Sequence, residues 1–133
     1  MTEVTEFSDV ELWATGYLRA ALALRAEAYA TGVTVGTTVP TTIPARLVTV
    51  RRDGGPKVNM RQEVARLGVN VWAATEQDVT DLTRLVRALF SAAVGNGSVR
   101  KVTEISGPSP IPDTKPRRYF VVELTIAGST LTV

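Results

Sequence analysis

Between Leu67 and Ala93 the hydrophobic period switches once, from two residues to 3.6, and this switch limits the fold more than any other feature of the chain. Leu67, Val69, Val71 and Ala73 alternate with Gly68, Asn70 and Trp72, the pattern of a half-buried strand. Thr75 then stands as an N-cap, and Glu76, Asp78 and Asp81 occupy the first turns, where the positive end of a helix dipole favours carboxylates. Val79, Leu82, Leu85, Val86, Leu89, Phe90 and Ala93 recur at helical spacing, which predicts an amphipathic helix packed on a sheet. Gly95-Asn96-Gly97 ends it. A strand that leads directly into a helix with one apolar face requires a layered arrangement of helices on a sheet.

The remainder of the chain fills in that arrangement. Ser8-Asp9-Val10-Glu11 has the form of a capping box and predicts a first helix from about Asp9 to Tyr29. Val10, Trp13, Ala14, Tyr17, Ala21, Leu24 and Ala28 make one stripe of it; Leu12, Leu18 and Leu22 fall off that stripe. Such a helix is either deeply buried or covered by a partner, which makes Leu12, Leu18 and Leu22 candidate inter-subunit contacts. The uncharged, Thr- and Pro-rich residues 31–45 suit an edge strand or an extended arm. From Ala45 alternation returns, with Leu47, Thr49 and Arg51 on one face and Val48 and Val50 on the other, until Asp53-Gly54-Gly55-Pro56 ends the strand. A basic loop follows over about 53–66. Val99 to Ser106 and Arg118 to Ala127 read as two further strands, separated by an exposed, proline-rich excursion over about 107–117. Pro108, Ile111 and Pro112 in that excursion are candidate partner contacts. The expected fold is α+β in the order α-β-β-β-α-β-β: a mixed or antiparallel sheet of about four to five strands carrying two helices.

A length of 133 residues suits one domain spanning 1–133, with 44% apolar and 21% charged residues. No run is long and apolar enough to cross a membrane, and Met1 to Ser8 lacks the pattern of a secretory signal, so synthesis in the cytoplasm is expected. The chain contains no Cys and no His, which removes disulfides, thiolate nucleophiles, imidazole bases and the usual zinc ligands. Asp78 and Asp81 are explained by the helix dipole rather than by acid–base catalysis. The glycine pairs fit no phosphate-binding pattern. The expectation is a protein without catalytic residues, cofactor or metal.

Charge is uneven. Residues 1–45 carry five acids and two cations, a net −3. Residues 46–66 carry Arg46, Arg51, Arg52, Lys57, Arg61 and Arg66 against Asp53 and Glu63, a net +4. This basic segment reads as a charged protein interface, a solvated loop or a sequence-independent contact with nucleic acid. Lys115, Arg117 and Arg118 read as protection of a strand edge. Trp13 and Trp72 read as core or interface anchors.

The segments ARLVTVRRDGGP, RLGVNVWAATEQDVTDLTRLVRALFSAA, SGPSPIPD and RRYFVVELTIAG, preceded by a long amphipathic helix, resemble the tail terminator proteins of siphovirus-like tailed bacteriophages, above all those of actinobacterial hosts. The resemblance covers about residues 8–128. It implies a virion protein, assembled in the host cytoplasm, that forms a ring of six on the head-proximal end of the tail tube. Such a ring stops tube polymerisation and offers a surface to the head completion or connector protein. Its partners would be its own copies, the tail tube protein, the neck protein and, without sequence preference, the passing genomic DNA. Under this resemblance Arg51, Arg52, Lys57 and Arg61 are expected to face the lumen or an axial neighbour. A head–tail connector and a small basic DNA-binding protein are the alternative readings.

Overall fold

The structure, a computed structural model, describes residues 2–56, 58–59 and 61–132. Along the chain lie β1 (Glu3–Glu6), α1 (Val10–Ala23), a single 3-10 turn at Ala28–Ala30, β2 (Thr34–Gly36) and β3 (Leu47–Arg52). β4 (Gln62–Trp72), α2 (Glu76–Ser91), β5 (Val99–Pro110), β6 (Arg117–Ala127) and β7 (Ser129–Thr132) complete it. Five strands form a mixed sheet in the order β2-β3-β4-β6-β5, parallel between β2 and β3 and antiparallel elsewhere. β1 and β7 form a separate two-stranded antiparallel ribbon. The architecture is α+β, as the order of periods predicts.

Register places Val48 and Val50 of β3 opposite Val71 and Val69 of β4, and Leu67, Val69 and Ala65 opposite Val122, Phe120 and Leu124 of β6. These side chains share one face, and both helices lie on it. Val10, Ala14, Leu18 and Leu22 of α1, with Val79, Leu82, Val86 and Phe90 of α2, close the core against them. Phe90 meets Phe120 edge to face at 6.3 Å between centroids. The other sheet face carries polar ties: Arg66 bonds Glu123 at 2.9 Å, and Arg117 bonds Asn70 at 2.9 Å while its guanidinium stacks 4.8 Å above the Trp72 ring.

Several expected boundaries move, each for a physical reason. α1 stops at Ala23 rather than near Tyr29, because Leu24 and Arg25 tighten onto the carbonyls of Ala21 and Leu22. The chain then turns, and the separate 3-10 turn buries Ala30, so tertiary packing overrides the helix propensity of residues 25–28. The helix cap is Asp9, whose Oδ1 accepts from the Leu12 amide at 3.1 Å, and not Ser8, which bonds Ser98. No capping box forms, since the Glu11 carboxylate is drawn to the Arg52 amide at 2.7 Å.

The basic loop of about 53–66 is shorter than expected, because β4 already begins at Gln62. Between the two strands, Val64 donates to Pro56 and Arg66 to Gly54, extending the ladder beyond β3. Gly55 makes this possible: at φ 108° its missing Cβ would stand 2.2 Å from the Val64 carbonyl oxygen. The proline excursion is also shorter. β5 continues through Pro108 to Pro110, which an edge strand with register shifts tolerates, so the true turn is residues 111–116.

Candidate interaction surfaces

Three of the six cations of residues 46–66 are paired by the fold with acids of the same chain. Arg46 forks onto Asp78 at 2.9 and 3.3 Å, and Arg66 pairs with Glu123. Arg52 pairs with the buried carboxylate of Glu63 and also donates to the carbonyls of Gly54, Gly55 and Val64. Its guanidinium therefore ties its own hairpin together, which corrects the expectation that it projects toward a lumen or neighbour. Arg51 remains outward, with its side chain 65% exposed and only a loose 3.7 Å approach to Glu11. Arg61 is exposed and makes no side-chain ion pair among the described residues. With Arg100, Glu3 and Thr5 it lines an open groove of about 660 Å³ at the root of the terminal ribbon. Lys57 lies outside the described residues.

The apolar helix expected to contact a neighbour splits into two parts. Leu18 and Leu22 are fully buried among the sheet side chains, so they are core residues and not inter-subunit contacts. Their stripe is Val10, Ala14, Leu18 and Leu22, one every four residues. Leu12 is 70% exposed and Leu24 88% exposed. Between them the solvent side of α1 presents Gly16, Ala20 and Ala23, with Arg19 as its one charge. Trp13 and Tyr17 stack at 5.1 Å along the border with α2. They are fixed there because Trp13 Nε1 donates to Asn96 Oδ1 at 3.0 Å and the Tyr17 hydroxyl donates to the Leu89 carbonyl. Burial pushes the Tyr17 phenol above its ordinary pKa. Trp13, Tyr17, Ala20, Ala21, Leu24 and Asn96 line a mostly apolar cleft of about 340 Å³.

At the far end of the sheet, Pro108 and Pro112 are exposed and Ile111 is half-buried. The turn they flank is anchored by Asp113, which accepts from Trp72 Nε1 at 3.1 Å and from Arg117 at 3.3 Å. The Trp72 indole, above all, with the Thr114 amide, holds the Asp113 carboxyl below the usual carboxylate range. Lys115 reaches across to the carbonyls of Ile43 and Pro44, binding the uncharged arm to this turn. The two candidate groups, the basic hairpin and the proline turn, are thus not brought together into one site.

Two features escape sequence reasoning. The β1–β7 ribbon pairs residues 123 or more positions apart, and four-residue strands such as Glu3–Glu6 and Ser129–Thr132 carry too little alternation to announce themselves. Gly16 reads as an ordinary weak point in a helix until its surroundings are known.

No protein-family model matches the chain, and no curated protein matches it.

Proposed function

We propose that this chain is a self-assembling structural subunit, a protein that works by contact with its own copies rather than by catalysis. Within that class, the resemblance of residues 8–128 favours the tail terminator of a siphovirus-like bacteriophage. Such a subunit forms a ring of about six on the tail tube, halts tube growth and presents a joining face to the neck. The observation that carries this reading is the outer face of α1. Leu12 and Leu24 stand in water at its two ends, and no acidic side chain interrupts the face between them. An exposed, mostly apolar face of this kind, with Arg19 as its one charge, marks a protein contact.

Gly16 supports the same conclusion. A Cβ built at this position meets nothing within 4 Å, so no packing inside the chain explains a helix-weakening residue there. A backbone approaching from another molecule would explain it. The alternative of a small basic DNA-binding protein loses support from the pairing of Arg46, Arg52 and Arg66 with acids of the same chain. Among the described residues, Arg51 and Arg61 are the cations of the hairpin left for a lumen or an axial neighbour.

Mass by light scattering across a concentration series, with negative-stain images of the same fractions, tests the reading. Rings of about six copies are expected. Ala20→Arg, which places a charge on the exposed helix face, should leave a folded monomer. A wild-type chain that stays monomeric both free and on tail tubes would overturn the proposal.

A further inference from the structure

We infer that the β1–β7 ribbon of a second copy is the element that occupies the cleft along α1 beside Asn96; this rests on the reading of the chain as a ring subunit. A two-stranded ribbon is marginal in water without a surface to pack on. Here the ribbon leaves the sheet at Gly128, where Thr5 and Phe7 crowd the missing Cβ, and beyond that root its strands pair mainly with each other. Register sets Val4 directly opposite Leu131, and the two side chains are 40% and 42% exposed. They form an apolar pair on one side of the ribbon. The other side, Glu3, Thr5 and Thr130, faces the groove of Arg61 and Arg100 in its own chain.

The cleft asks for this kind of occupant. Its lining of Trp13, Tyr17, Ala20, Ala21, Leu24 and Asn96 carries no charge, so an incoming charged side chain would lose its water without gaining a counter-ion. Its lining is almost wholly apolar, which suits aliphatic side chains such as Leu and Val. Val39, Val58, Val94 and Ile105, also exposed, stand singly on four separate segments. The β5 edge of the sheet is closed to strand addition because β5 carries Pro108, Pro110 and three register shifts. The ribbon cannot serve its own cleft at Leu24. It joins α1 at the N-terminal end, and the helix carries Leu24 away by about 20 Å. Ribbon and cleft are therefore two different, complementary surfaces on one chain, as a closed head-to-tail ring needs.

The absence of cysteine makes the test clean. A Leu131→Cys chain is mixed with a Leu24→Cys chain at assembling concentration and oxidised. A disulfide forms only where Cα atoms come within about 7 Å, so the product reports ribbon-in-cleft contact. The expected result is a cross-linked pair in several-fold excess over the control of Leu131→Cys with Ile105→Cys, together with loss of rings in Leu131→Asp. Circular dichroism checks each variant for folding; Val4→Cys, opposite on the ladder, replaces Leu131→Cys if the latter misfolds. Rings that persist in Leu131→Asp and give no cross-link above the control overturn this inference and leave the ring reading intact. Failure of the wild-type chain to assemble at any concentration or on tail tubes overturns both.

Discussion

Arg51 and Arg52 are neighbours in sequence with opposite duties, because successive strand side chains point to opposite faces. Arg52 turns to the helix-bearing face and meets Glu63, whose side chain is only 10% exposed. Arg52→Ala would strand that carboxylate and remove three donations to hairpin carbonyls; a loss of about 2–3 kcal/mol in urea-unfolding stability is expected. Arg51→Ala, at an exposed and loose pair, should change stability by less than about 0.5 kcal/mol. Equal effects from the two variants would contradict the structure. Asp113 gives a second residue-scale prediction. Its carboxyl is held below the ordinary value in the folded chain, so the stabilisation it supplies is present above the unfolded pKa of about 4 and is lost as pH falls through the folded value. Unfolding midpoints between pH 6 and pH 2 should therefore fall less steeply with acid in Asp113→Asn than in the wild type. The same sign applies to Glu104, which the bidentate Arg87 guanidinium also holds low.

At the level of elements, α2 was legible at its start and along its face because its cap, its acidic first turn and its apolar stripe agree, but not at its end: the helix stops at Ser91, short of Ala93 and of the Gly95-Asn96-Gly97 stop. Thr75 accepts from the Asp78 amide at 3.1 Å, as the sequence pattern requires. α1 was legible in existence but not in orientation. Trp13, Tyr17 and Leu24 outweigh Ala14 and Thr15 in any hydrophobicity reading, yet the smaller residues face the sheet and the aromatics lie along the border. The basic hairpin was legible as a charge count but not as a surface, since ion pairs between distant segments such as Arg46–Asp78 leave no local trace. Gly16→Ala separates the intrinsic helix from its environment. In the isolated subunit a Cβ meets nothing and the helix gains propensity, so thermal unfolding should show stabilisation of about 0.5–1 kcal/mol. Light scattering on the same variant should show weaker assembly.

On the scale of the whole molecule, two helices cover one sheet face while the other is kept by polar contacts: the Arg66–Glu123 pair, the Arg117 stack on Trp72 and Tyr119 lying over Gly68. Among the described residues no helix is long and apolar enough to cross a membrane, and no group of three or more acidic, His or Cys side chains is placed to hold a metal ion. What distinguishes the molecule is the separation of its surfaces: an apolar helix side, a ribbon at one end of the sheet and a proline turn at the other. The long ladder between β4 and β6, from Gln62–Ala127 to Trp72–Arg117, has a kinetic corollary. Its strands are joined through α2 and β5, so the centre of the sheet zips only after a long loop has closed. The helices can form in microseconds, whereas the ladder sets a refolding time in the range of about milliseconds to seconds. With Trp13→Phe leaving Trp72 as the single indole, stopped-flow fluorescence would follow that closure alone.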